Sequence, residues 1–140
     1  FAYDLSSNDL YNNFKYVNYK DALKLHKNSN DKNLILVKNF RSKLNNLKIK
    51  IEELKIKPIF ISQLMYDGLK DEKLFLVNNE LKNFATENKY FIIPLDEILS
   101  MKKKDFFDTA HTTPQGSKRI ADKIFPLLLN FLKENNEIRE

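Results

Sequence analysis

The sequence predicts an α/β fold on a parallel sheet, and three observations carry that expectation. Short apolar runs at Phe1–Leu5, Ile59–Ile61 and Tyr90–Ile93 are bounded by turn formers or proline, as buried strands are. The segments after them carry apolar residues at helical spacing. Strand, helix, strand, helix, strand, helix is the order that right-handed crossovers assemble into a layered sheet with every strand pointing the same way. At 140 residues and 42% apolar composition, one domain spanning 1–140 can bury a core without help from a disulfide or a metal.

Composition removes several functions. With no cysteine, thiolate zinc sites, iron–sulfur clusters and disulfide frameworks are excluded. The net charge of +5 raises the question of nucleic acid, but twenty-one of the basic residues are lysine and only Arg41, Arg119 and Arg139 offer a bidentate fork. The lysines are spread along helix-like segments among asparagines, a compositional bias rather than a patch, so no nucleic-acid partner is expected. No run of eighteen apolar residues exists to span a membrane.

Along the chain, Phe1–Leu5 runs into the loop formers Ser6-Ser7-Asn8-Asp9. The sequence opens in what reads as the middle of a strand, so a segment N-terminal to Phe1 is expected. Residues 10 to 31, rich in Asn, Tyr and Lys, read as a partly helical, exposed connection. Val37, Phe40, Leu44, Leu47, Ile51 and Leu54 then recur at alternating steps of three and four, which lines one face of a long helix ending before Pro58. That spacing is also heptad-like, but under three heptads favour a crossover lying on the sheet over a coiled coil.

After the strand Ile59–Ile61 comes a loop through Tyr66-Asp67-Gly68. A second helix presents Leu74, Val77, Leu81, Phe84 and Ala85. Tyr90–Ile93 is closed by Pro94 and followed by a short helical piece over Asp96–Met101. A polar and aromatic loop covers Lys102–Thr113. The last helix starts at Pro114, with Thr113 as its cap or Thr112 and Gln115 as an alternative capping box, and buries Ile120, Ile124, Leu127, Leu128 and Phe131. Pro126 is expected to kink it.

Ligands of such sheets bind beyond the carboxyl ends of the strands, so the loops Ser6–Asp9, Ser62–Gly68 and Lys102–Thr113 are expected to share one rim. The chemistry concentrates in Asp108-Thr-Ala-His111. A carboxylate three residues before a histidine can fold back onto one ring nitrogen, fix the tautomer and leave the other nitrogen as a base, which is two-thirds of an acyl-transfer triad. By the residues alone, a structural histidine that caps the helix or bonds a carbonyl is an equal reading.

Asp108-Thr-Ala-His111 with Pro114-Gln-Gly116 and the following Ile120–Leu127 resembles the last block of the SGNH (GDSL-type) hydrolases, whose Asp-x-x-His supplies two triad members. Tyr3-Asp4-Leu5-Ser6-Ser7-Asn8-Asp9 resembles their Gly-x-Asn-Asp block, with Ser6 standing where the family usually has Gly. The resemblance covers essentially the whole chain and implies the C-terminal part of a three-layer α/β/α, flavodoxin-like domain that lacks its first strands. It implies His111 as base, Asp108 as orienting acid and Asn8 as oxyanion donor, with no cofactor and no metal. The implied activity is hydrolysis of an acyl ester, on a carbohydrate or lipid, by a serine esterase.

The family's Gly-Asp-Ser block is not present, and none of the seven serines has that setting. An upstream segment or a companion chain is therefore expected to bring the nucleophile and to cover the apolar edge of Phe1–Leu5. The alternative is a non-catalytic binding module for a polysaccharide or a partner protein. A Gly-Asp-Ser block upstream of Phe1 favours the esterase, and its absence favours the module. A flavodoxin-like nucleotide binder would need a glycine-rich phosphate loop, which two glycines cannot build.

Other residues read as follows. Tyr66 is a candidate to bind substrate, with Asp67, against the simpler reading of a turn at Asp67-Gly68. Asp105, the rival orienting acid, reads as a solvated loop charge or a cap. His26 reads as a surface residue, and Asp9 as a brace for its loop. The insertion at Leu10–Asp31 is where specificity is expected to be set.

Overall fold

The computed structural model describes residues 15–135. The predicted strand Phe1–Leu5, the loop Ser6–Asp9 and with it Asn8 lie outside the described residues. What is described is an α/β protein, mostly helical, with a small two-stranded parallel sheet.

Helix α1 (Tyr19–Leu25) begins where the Asn18 side chain accepts a hydrogen bond from the Asp21 amide at 3.0 Å. Helix α2 (Asp31–Leu54) is capped in the same way by Asn30, and ends at Lys55 in the left-handed region, φ 51°. Strand β1 (Ile59–Ile61) pairs in parallel with β2 (Phe91–Ile93), Ile59 opposite Phe91 and Ile61 opposite Ile93. Between them α3 (Glu72–Glu87), capped by Asp71, makes the crossover. After β2 come the short α4 (Leu95–Ile98), one 3-10 turn at Lys103–Asp105, and α5 (Pro114–Glu134).

Several expectations are corrected in detail. Of the expected α2 face, Leu44 and Ile51 are buried, whereas Leu47 and Leu54 are exposed. A strict three-and-four spacing drifts by about 20° per heptad on a straight helix, so over 24 residues its members leave the buried side. On α3 the fully covered apolar side chains are Phe75, Phe84 and Ala85, with Leu74, Val77 and Leu81 half-buried. Thr113, not the Thr112 alternative, caps α5: its hydroxyl accepts from the Gly116 amide at 3.1 Å, while Thr112 pairs with the Ser117 hydroxyl. Pro126 lies inside α5, which runs from Pro114 to Glu134.

The stretch before α2 is helical in part, as expected, but it is not merely an exposed connection. Val17 and Ala22 are buried with Leu69 and Phe75. Val17 bridges to Gly68, donating its amide to the Asp67 carbonyl and accepting from the Leu69 amide. That approach needs glycine: φ at Gly68 is +72°, and a Cβ there would lie 2.3 Å from the Val17 oxygen. His26 is half-buried, its Nε2 2.8 Å from the Leu69 carbonyl and its ring beside Phe75, so it is a packing residue rather than a surface one.

The other buried cluster, Leu64, Tyr66, Leu95, Met101 and Phe106, lies at the carboxyl ends of the strands, with Ile120 and Ile124 of α5 closing it. Phe91 of β2 stacks on Phe131 of α5 at 4.3 Å. On the opposite face Phe60 packs against Phe84 and Tyr90. Among the described residues, no helix is long and apolar enough to cross a membrane.

Candidate functional site

Two loops meet beyond the strand ends, as expected for the loops Ser62–Gly68 and Lys102–Thr113: the Tyr66 amide donates to the Thr109 carbonyl at 3.0 Å. The first of them is pinned from below. The Asn78 side chain of α3 accepts from the Gln63 amide at 3.0 Å and donates to the Gln63 carbonyl at 2.9 Å, which holds the exit from β1. The Ser62 amide bonds Ile93 across the sheet, and its buried hydroxyl accepts from the Asp96 amide and donates to the Asp96 carboxylate. Lys82 of α3 closes on that carboxylate at 2.9 Å. The rim is therefore a hydrogen-bonded frame on rigid elements, which is what a site needs to hold geometry.

The loop that carries the expected chemistry is a small hairpin. The Thr113 amide donates to the Asp105 carbonyl at 2.9 Å, Phe106 bridges Thr112, and the Phe107 amide donates to the His111 carbonyl at 2.8 Å. At its tip the Asp108 side chain turns back. One oxygen accepts from the amides of Ala110 and His111, each at 2.8 Å. The other lies 2.7 Å from the His111 Nδ1.

The environments of the two groups differ. The Asp108 side chain is 8% exposed and that of His111 is 77% exposed. The Ala110 and His111 amides and then the imidazole, all donating to the charged form, hold the Asp108 carboxyl at about 2, so it is ionised at neutral pH. An ionised carboxylate only accepts, so Nδ1 carries a ring proton toward Asp108, and in the neutral imidazole that leaves Nε2 as the nitrogen with a free lone pair.

Tyr66 is buried, its ring edge-on to Phe106 at 6.1 Å, beneath this loop rather than on an open surface. The turn at Asp67-Gly68 is present beside it. Asp105 is not a solvated charge: it is fully buried, bound to the guanidinium of Arg119, and it caps the Lys102 amide, so the cap half of its reading holds. Arg119 was given no role by its sequence context. Its only signal was an arginine in a segment where every other base is lysine.

Among the described residues, no group of three or more His, Asp or Glu is placed to hold a metal ion. In comparison with known proteins, the chain matches no family model, no curated protein and no solved structure.

Proposed function

We propose that this chain is the C-terminal part of an SGNH-type serine esterase with a three-layer α/β/α fold. The observation that carries the reading is the Asp108–His111 pair, 2.7 Å apart, with the carboxylate buried and the imidazole at the solvent-facing rim beyond the strand ends. A histidine held in this way serves general-base chemistry, whereas one that merely caps a helix needs no carboxylate on its ring.

In this reading a serine from outside these 140 residues attacks an acyl carbonyl, His111 Nε2 takes its proton, and Asp108 stabilises the imidazolium. His111 returns the proton to the departing alcohol. It then activates the water that releases the acid. Asn8 donates to the developing oxyanion, a contribution of about 3 kcal/mol. The substrate is an ester of a short acyl or acetyl group on a carbohydrate or lipid.

The wider layered fold draws support from the sheet. Parallel register puts Ile59 on the face of Phe91 and Ile61 on that of Ile93. Phe131 covers Phe91, but Ile59 and Ile61 stay 37% and 40% exposed, an apolar surface that further sheet and helix beyond β1 would cover. The test is turnover of p-nitrophenyl acetate by the complete protein. His111→Ala is expected to abolish it with the fold intact, and undiminished turnover removes His111 from the mechanism.

A further inference from the structure

We propose that Asp105 and Arg119 are positioning residues for the Asp108–His111 pair, clamping the base of the hairpin whose tip holds the imidazole against the carboxylate. Neither group reaches the tip. Asp105 lies three residues before Asp108, and its carboxylate is buried under the hairpin, where Oδ2 takes both the Lys102 amide and the Arg119 guanidinium.

Arg119 uses the rest of its fork on the Ser100 carbonyl at 2.8 Å, so one side chain of α5 grips the incoming chain at two points. The Asp105 carbonyl closes the hairpin by accepting from Thr113, the residue that also caps α5. Gly116 allows that helix to press directly on the same carbonyl, since a Cβ there would come within 2.0 Å of the oxygen.

Stability alone gives little reason for an ion pair here, because apolar side chains of similar volume serve a core as well or better. What a guanidinium fork adds is direction: it fixes the orientation of the strand leaving the 3-10 turn relative to α5. The hairpin then has one arm set by Asp105 and the other by Thr113, and the Asp108 turn between them has little freedom to open. Small displacements of a base cost rate steeply, so the clamp matters for turnover.

The positioning claim concerns loop geometry, and its catalytic consequence rests on the esterase reading, so the test separates the two. In the complete protein, Arg119→Lys keeps the charge and loses the fork, and Asp105→Asn keeps an acceptor for Lys102 and loses the charge. Amide hydrogen exchange is expected to quicken about tenfold at Phe107 and Thr113 in both variants, with Ser62 in the sheet unchanged. For p-nitrophenyl acetate, kcat is expected to fall about tenfold with little change in KM. Unchanged exchange at Phe107 and Thr113 in a folded variant overturns the proposal, as does faster exchange with kcat intact. Faster exchange in a protein whose parent hydrolyses no ester supports the clamp and defeats the esterase reading instead. Should Asp105→Asn not fold, Arg119→Lys decides alone.

Discussion

Asp108 holds His111 twice, through the imidazole Nδ1 at 2.7 Å and through the backbone amide at 2.8 Å. The second bond ties the ring's own backbone to the carboxylate, so orientation and tautomer are set by one side chain. In Asp108→Asn the amide bonds can persist while the ring loses its charged acceptor and its preference for the Nδ1 proton. The expected result is a fall in kcat of about 10⁴ for p-nitrophenyl acetate in the complete protein, with an unchanged circular dichroism spectrum.

The same carboxylate makes part of the protein's acid response. Its folded value of about 2 lies below its ordinary value of 3.8, so the ionised form is favoured by folding. Stability from Asp108 is therefore complete above about pH 4 and is lost as pH falls through about 2. Urea midpoints measured from pH 5 down to pH 2 are expected to fall less steeply in Asp108→Asn than in the parent. Equal slopes in the two proteins would show that the carboxylate is not held in this way.

Gly116 is required by packing rather than by its backbone angle. A methyl group would have to displace the Asp105 carbonyl, and with it the bond to Thr113. Alanine is the better helix former by about 1 kcal/mol, yet forced overpacking costs about 1–3 kcal/mol. Gly116→Ala is expected to lower stability in urea denaturation and to speed exchange of the Thr113 amide.

Much of this fold was legible from apolar spacing. The helices at α2, α3 and α5 and the strands at Ile59–Ile61 and Phe91–Ile93 follow from periodicity and breakers, because local pattern and burial agree there. Asp108 and His111 were legible because their bond spans three residues. Asp105 was not, since its partner Arg119 lies fourteen residues away and its burial depends on how α5 packs. Phe75 and Asn78 were missed for a related reason: α3 is covered on one side by the sheet and on another by α1 and its approach, so its buried arc is wider than one stripe. Leu47 shows the reverse, an apolar residue in phase by count but out of phase by geometry.

Lys82 offers a test of the frame beneath the rim. Its ammonium is the cation beside the buried Asp96 carboxylate, and it also meets Glu97 and the face of the Tyr19 ring. Replacing it by methionine keeps the aliphatic stem and leaves Asp96 without its cation. Lys82→Met is expected to cost about 3 kcal/mol in urea denaturation, the range for breaking a buried pair from one side. A loss well under that would mean that Ser62 alone satisfies the carboxylate.

The most direct measurement is covalent labelling of the complete protein by a fluorophosphonate, which reacts with an activated serine and locates it by mass spectrometry. The expected result is a single labelled serine outside residues 1–140, with labelling slowed by about a hundredfold or more in His111→Ala. No labelled serine, or equal labelling rates in the parent and His111→Ala, would contradict the assignment of His111 as the base of a serine esterase.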